Sequence, residues 1–328
     1  MPLRDAKQVY RAAGRRPGGP RWGAERDVGS PARRFSRRAE FERRSHGGSI
    51  AVVRSPRYTV IQLADTHVPA GGLLFGGVDA AARVEAAIQM LVTAGCSVDV
   101  LVRSGDQADR GEADAYERLL PILADGLRRL GAQLLLVPGN HDDLKLLRAL
   151  VPEADGERLA ARSNRVVLAG GLRLIGLDSS VPGTDHGELD DDQLRELAAE
   201  LAKPAPEGTI LVIHHPPIWS TNPASELVGL REPQRLAAAI RGTDVRLVLS
   251  GHTHRASAGT FAGVPVWVSP STACAADVLA NDGFRGHTGG GFTRVDVLDD
   301  GEIVLTCIPL TGRDEILYDV VRETPPRR

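Results

Sequence analysis

The sequence predicts a mixed α/β fold, and three patterns carry that expectation. Strand-like apolar runs alternate with helically spaced stretches from Tyr58 onward. Five of those runs end in short packets of Gly, Asp, Asn and His. The last part of the chain, from Gly259 to Leu310, reads as β-hairpins. Leading β-α-β units followed by hairpins imply layered, mixed sheets.

In chain order, Val60-Ile61-Gln62-Leu63 is the first apolar run, and it enters Asp65-Thr66-His67. Val78 to Ala94 spaces Val84, Ala87, Ile88 and Leu91 along one helical face. The run Val98 to Val102 then ends at Gly105-Asp106, completing β-α-β. Glu112 to Leu130 is a second helix, with Tyr116, Leu119, Leu120 and Leu123 on one face and Gly131 as its stop. Leu134 to Pro138 runs into Gly139-Asn140-His141-Asp142, and a short helix from about Asp143 to Leu150 stops at Pro152. Asn164 to Leu168 and Leu172 to Leu177 form a hairpin about Gly170-Gly171. A helix over Asp190 to Ala202 crowds acidic residues at its N-terminus, where they complement the helix dipole. Ile210 to Ile213 runs into His214-His215-Pro216-Pro217, a helix lies near Pro233 to Arg241, and Val245 to Leu249 runs into Gly251-His252-Thr253-His254. Thr260-Phe261, Val264 to Val268, Phe292 to Leu298 and Ile303 to Ile308 are the closing β segments. With no internal repeat or linker, residues 57–312 read as one domain.

Net charge is −2 over 328 residues, which excludes a global attraction to nucleic acid or anionic membrane. Cys96, Cys274 and Cys307 are odd in number and far apart, a pattern that suits a reducing cytoplasm and argues against structural disulfides. No apolar run approaches the ~20 residues that span a bilayer. Residues 1–50 hold twelve arginines with many glycines and prolines, and are expected to be a disordered extension. Residues 313–328 are read as a loose tail.

Ligands collect beyond strand C-termini in open α/β sheets, so the five packets are expected to converge on one rim. They supply the carboxylates Asp65, Asp106 and Asp142, the carboxamide of Asn140, and six of the nine histidines. Hydrolysis of a stable ester at neutral pH is served by two divalent ions about 3.5–4 Å apart. Such a pair needs a bridging carboxylate and N/O donors that leave positions open.

The order D-x-H, G-D, G-N-H-D, H-x-P and G-H-x-H resembles the calcineurin-like metallophosphoesterases. The stretches Asp65-Thr66-His67 to Phe75-Gly76-Gly77-Val78-Asp79-Ala80, Val181-Pro182-Gly183, His214-His215-Pro216-Pro217-Ile218 and Gly242-Thr243-Asp244-Val245 look closest to the actinobacterial class III cyclic-nucleotide phosphodiesterases. The resemblance covers about residues 57–311 and implies a four-layer α-β-β-α sandwich with two mixed sheets. It implies one ion on Asp65, His67, Asp106 and His254, and a second on Asp106, Asn140, His214 and His252, with Asp106 bridging. His141 is implied to contact phosphate and assist the leaving oxygen, a role that suits an imidazole near neutral pH. Asp142 and Asp109 are candidates to orient neighbouring histidines, and His215 to support the ligands from behind.

The implied reaction is hydrolysis of a 3′,5′-cyclic nucleotide such as cAMP by in-line attack of a metal-bridging hydroxide. Neighbouring readings keep the mechanism and change the substrate to glycerophosphodiesters, 2′,3′-cyclic nucleotides or other small diesters. A non-catalytic scaffold would lack ligands or His141, and none is missing. The donor set accepts Mn or Fe first, and Zn, Co or Ni as well. The resemblance also implies a homodimer. The loops Val68 to Gly77 and Ile218 to Leu230, with Phe75 and Trp219, flank the expected site and suit either base stacking or a dimer contact. Asp185 and His186 read as loop residues or an accessory polar site.

Overall fold

A computed structural model describes residues 55–150, 164–220, 222–280 and 284–311. In chain order it forms β1 (Pro56–Leu63), α1 (Ala80–Thr93), β2 (Val100–Ser104), α2 (Ala113–Leu130), β3 (Gln133–Val137) and α3 (Leu144–Leu150). There follow β4 (Arg165–Ala169), β5 (Leu172–Leu177), α4 (Asp191–Leu201), β6 (Thr209–Ile213), α5 (Pro223–Glu226), α6 (Pro233–Ile240) and β7 (Val245–Ser250). The chain closes with β8 (Ser257–Phe261), β9 (Val264–Val268), the two-residue β10 (Ala275–Ala276) and β11 (Gly286–His287), then β12 (Gly291–Leu298) and β13 (Ile303–Pro309).

The strands make a five-stranded sheet in the order β13-β12-β1-β2-β3 and a six-stranded sheet in the order β4-β5-β6-β7-β9-β8. Period-two side-chain alternation sorts their residues into layers. Val60, Val100, Val102 and Leu135 point inward from the first sheet onto Leu174, Ile210, Val212 and Leu247 of the second. Their neighbours Ile61, Leu63 and Leu101 point outward onto Val84, Ile88 and Leu91 of α1 and Leu119 and Leu123 of α2. Ile175, Leu211, Ile213 and Val248 likewise meet Leu197 and Leu201 of α4 and Leu236 and Ile240 of α6. The result is the α-β-β-α layering expected. Each fully buried aliphatic side chain stabilises it by roughly 1.5–3 kcal/mol.

Local signals set the helix ends. The Asp79 carboxylate accepts from Ala82 N at the start of α1, and Gly131 ends α2 in the left-handed region at φ 66°. Asp190 and Gln193 form a reciprocal capping box on α4. The second strand starts two residues later than its apolar run. Val98 packs into the outer cluster, and the Asp99 carboxylate accepts from Thr59 N at 2.7 Å instead of continuing an apolar face. The closing hairpins divide between the sheets: β8–β9 extends the second, whereas β12 pairs antiparallel with β1, Val60 opposite Val295. Neither α5 nor the β10–β11 pair was expected from the sequence. No helix among the described residues is long and apolar enough to cross a membrane. The arginine-rich stretch 1–50, the stop at Pro152 and the tail from Arg313 lie outside the described residues.

Candidate metal centre

Parallel pairing of β1 with β2 and β2 with β3 aligns three strand C-termini on one edge of the first sheet. Parallel pairing of β5 with β6 and β6 with β7 does the same in the second. The polar packets follow these ends, so Asp65, His67, Asp106 and Asn140 come from one sheet and His214, His252 and His254 from the other.

The chain turns sharply to aim these groups. Eight non-glycine residues among those described have positive φ, and Asp65, His67, Asp106, His252 and His254 are five of them. Each such residue costs on the order of 1 kcal/mol or more, so the concentration marks a site where geometry outranks backbone comfort. Two glycines permit the close approach. A Cβ on Gly139 would lie 2.1 Å from Asp106 Oδ1, and one on Gly105, at φ 103°, would lie 2.0 Å from His214 Nδ1.

The donors gather on either side of Asp106. Asp65, His67, Asp106 and His254 each offer a ligand atom within 4.8 Å of the others. His67 Nε2 stands 2.9 Å from His254 Nε2, and His254 Nε2 is 3.6 Å from Asp65 Oδ1. Asp106 Oδ2 is 3.5 Å from His67 Nε2 and 3.4 Å from His214 Nε2, so one oxygen faces both sides. His214 Nε2 is in turn 3.2 Å from Asn140 Oδ1.

Hydrogen bonds made by the opposite ring nitrogens fix which atom faces inward. His214 Nδ1 donates to Ser104 O at 2.8 Å, which leaves Nε2 as a lone-pair donor toward Asp106 and Asn140. His252 Nε2 donates to Val228 O at 2.9 Å, which leaves its Nδ1 free to ligate. His254 Nδ1 lies 3.5 Å from Cys274 Sγ. This is the outer-shell arrangement by which proteins orient ligating imidazoles.

The donors fit divalent cations. Ligand bonds of about 2.1 Å bring adjacent ligands about 3–3.5 Å apart, the spacing seen here. Asp65 Oδ2 is fully buried and has no hydrogen-bond partner, a costly state for a carboxylate unless a cation completes it. Without one, burial pushes the Asp65 carboxyl up, although His214 pulls the other way. Burial also opposes ionisation of Asp106, but the neighbouring His214 and His141 hold it well below the usual carboxylate range. Burial disfavours charge on His214 too, yet Asp106 and Asp65 push it up to about 9. His252 falls to about 3 through burial and the nearby His214. Carboxylates and imidazoles thus compete for protons where a cation would satisfy them.

The supporting residues separate by their contacts. Asp142 is half-buried at the rim and accepts from Gln107 N, Ala108 N and Gly139 N as well as from the Tyr116 hydroxyl. It clamps the backbone beside Asp106 and Asn140. Asp109 lies beside two histidines: its carbonyl accepts from His141 Nδ1 at 2.5 Å, and its Oδ1 stands 3.6 Å from His67 Nδ1. His141 N donates to Asp106 Oδ1 at 2.9 Å, placing this imidazole beside both donor sets. His215 is within ligand range of His214 and His252. Its ring nitrogens are already occupied, by Ser179 Oγ at 2.8 Å and Asp185 O at 3.3 Å. Asp185 enters the neighbourhood only through that carbonyl, while His186 pairs with Glu188.

Sequence comparison matches residues 58–256 to the calcineurin-like phosphoesterases. The chain belongs to the calcineurin-like phosphoesterase family. It is therefore a metal-dependent phosphoester hydrolase, as the packets implied. This phosphoesterase is 42% identical over 265 residues to a Mycobacterium tuberculosis protein named cAMP/cGMP dual specificity phosphodiesterase, spanning 80% of this chain and 82% of the relative. It is 41% identical over 257 residues to a probable cyclic nucleotide phosphodiesterase of Rhodococcus erythropolis, spanning 78% and 84%. The fold is shared with a dimetal phosphatase from Danio rerio at a TM-score of 0.55 and 14% identity, covering 78% of this chain and 97% of that one.

Three contributors carry no packet signature. The segment after β9 wraps under the site: Ser271 Oγ donates to Asp65 O at 2.8 Å, Thr272 N donates to Ala64 O, and Cys274 reaches His254. Val228 acts through a carbonyl, which any residue supplies. Arg103 did leave a signal, a lone charge in the run Val100-Leu101-Val102-Arg103-Ser104. It is fully buried below the site, donating from Nε to Gln107 Oε1 and from Nη2 to Thr66 Oγ1.

Proposed function

We propose that this phosphoesterase hydrolyses 3′,5′-cyclic nucleotides, cAMP foremost, with residues 57–312 as the catalytic domain. The observation that carries the reading is the 42% identity, over four fifths of the chain, to a protein named for cAMP and cGMP hydrolysis. Asp65, His67, Asp106 and His254 would hold one divalent ion, and Asp106, Asn140, His214 and His252 the second. Such ions supply Lewis-acid charge against the phosphoryl oxygens and a lowered pKa for water. Mn and Fe suit these N/O donors, and Zn, Co and Ni are acceptable to them.

The chain's own residues account for the rest. Asp109 O ties up the Nδ1 proton of His141, so Nε2 is the atom left to meet substrate. As the imidazolium, with both ring nitrogens protonated, His141 contacts the phosphoryl group through Nε2–H and delivers that proton to the departing ribose oxygen as the P–O bond breaks, leaving the neutral ring with Nδ1–H on Asp109 O. Asp109 keeps that ring and His67 in register, and Asp142 holds the turn that carries Asn140 and His141. The reading includes a homodimer acting in the cytoplasm, which sedimentation and cell fractionation test.

The experiment is steady-state hydrolysis of 3′,5′-cAMP, 2′,3′-cAMP and glycerophosphocholine by metal-reconstituted protein, with Asp106→Ala and His141→Ala alongside. Preference for 3′,5′-cAMP, lost in Asp106→Ala, is expected. Faster turnover of either other ester moves the protein to that substrate class. Inactivity on all three points to a non-catalytic scaffold.

A further inference from the structure

A second feature of the rim bears on which organic group the site accepts, and it rests on the phosphodiesterase reading above. Beside His252 the loop after β6 and the β7–β8 corner enclose a cavity of about 540 Å³. That lies within the range of ligand pockets, roughly 300–1,000 Å³. Ile218 and Leu230 give it apolar walls, and Trp219 stands at its edge with 83% of its surface exposed. Thr253 and Arg255 border the same space.

Arg255 is 4% exposed, and its terminal nitrogens tie the two loops together, reaching Ser225 Oγ at 3.2 Å and Asp277 O at 3.3 Å. That bracing accounts for the buried arginine and holds both loops in place around the cavity. An indole kept in water at the edge of a cavity with apolar walls matches the needs of a nucleobase, which offers an aromatic face.

We infer that this cavity is the base subsite of a nucleotide ligand, with Trp219 stacking on the heteroaromatic ring and Ile218 and Leu230 forming the apolar walls beside it. His252 belongs to both the cavity lining and the donor set, so phosphate and base are bound from opposite sides of one residue. A glycerol headgroup has no ring for Trp219 to cover.

The test is calorimetric binding of AMP, ribose 5-phosphate and phosphocholine to the metal-loaded full chain, in wild type, Trp219→Ala and Ala258→Phe. Ala258 lines the cavity on an edge strand, so the larger ring fills it without entering the core. AMP should bind wild type roughly 5- to 150-fold more tightly than ribose 5-phosphate, the usual range for one stacked base. That gain should disappear in both variants while ribose 5-phosphate affinity stays within about twofold. Absence of the gain in wild type, its survival in either variant, a parallel loss for ribose 5-phosphate, or Trp219-dependence shown by phosphocholine in place of AMP overturns the assignment. cAMP turnover measured on the same preparations separates the two claims. AMP selectivity without cAMP hydrolysis retains the base subsite and rejects the cyclic substrate, and hydrolysis without AMP selectivity does the reverse.

Discussion

Replacing Gly139 by alanine tests the site with a single methyl group. The added Cβ would lie 2.4 Å from Asp106 N and 2.1 Å from Asp106 Oδ1. Ordinary contact begins near 3.4 Å, so the strand end bearing Asp106 and the turn bearing Asn140 must separate by about 1 Å. The backbone nitrogen cannot rotate aside as a side chain would. Gly139 does not have positive φ, so the substitution carries no dihedral penalty and its effect reports the clash alone. The expected stability loss is that of overpacking, about 1–3 kcal/mol. The functional loss should be larger, because a displacement of about 1 Å at a reacting centre costs on the order of 100-fold in rate. The assay is kcat/KM on the best diester, with metal content by mass spectrometry and a urea melt on the same preparation. Gly77→Ala, where a Cβ meets nothing within 4 Å, is the control and should leave all three unchanged. A Gly139→Ala enzyme with full metal content and kcat/KM within threefold of wild type would refute the claim that Asp106 is held in place by this approach.

Three further outcomes are expected. His141→Gln should lower kcat by roughly 10²- to 10⁴-fold with metal content intact, and equal losses in metal content would place His141 among the ligands instead. Asp142→Ala strands the buried N–H groups of Gln107, Ala108 and Gly139; at about 1–3 kcal/mol each, a loss of roughly 3–9 kcal/mol should appear as a lower urea midpoint. In chelator-treated protein, the folded-state pKa of His214, about 9 against an ordinary 6.5, means the folded chain holds a proton that the unfolded chain has released. Its stabilisation is complete below pH 6.5 and lost as pH rises toward 9, and the raised Asp65 and His67 act in the same direction. Thermal melts of the metal-free chain should therefore weaken across that window, whereas metal-loaded protein should not follow, since ligation requires the deprotonated donors.

The layers and the donor sets were legible in the sequence because both rest on side-chain identity. Apolar runs such as Ile210 to Ile213 mark buried strands, and a histidine pair like His252 and His254 has few structural reasons to follow one. Roles carried by the backbone were not legible: the carbonyls of Val228, Ser104 and Asp109 that set three imidazole tautomers are present at every residue. Asp142 was legible as a supporting carboxylate but not in its manner of support, because the three amides it accepts from are backbone groups that no side-chain pattern announces. The split of the closing hairpins between two sheets depends on β12 meeting β1 across more than 230 residues, a pairing no local pattern encodes.

Because the donors arrive from two sheets, the gap between the metal-binding halves is gauged by the side chains wedged between those sheets. Val60, Val102, Leu135 and Leu174 act as shims. Thinning one of them far below the rim would let the sheets settle together and shorten the reach from His214 and His252 to Asp106. Selection on this enzyme's choice of metal can therefore act on aliphatic residues that never approach an ion.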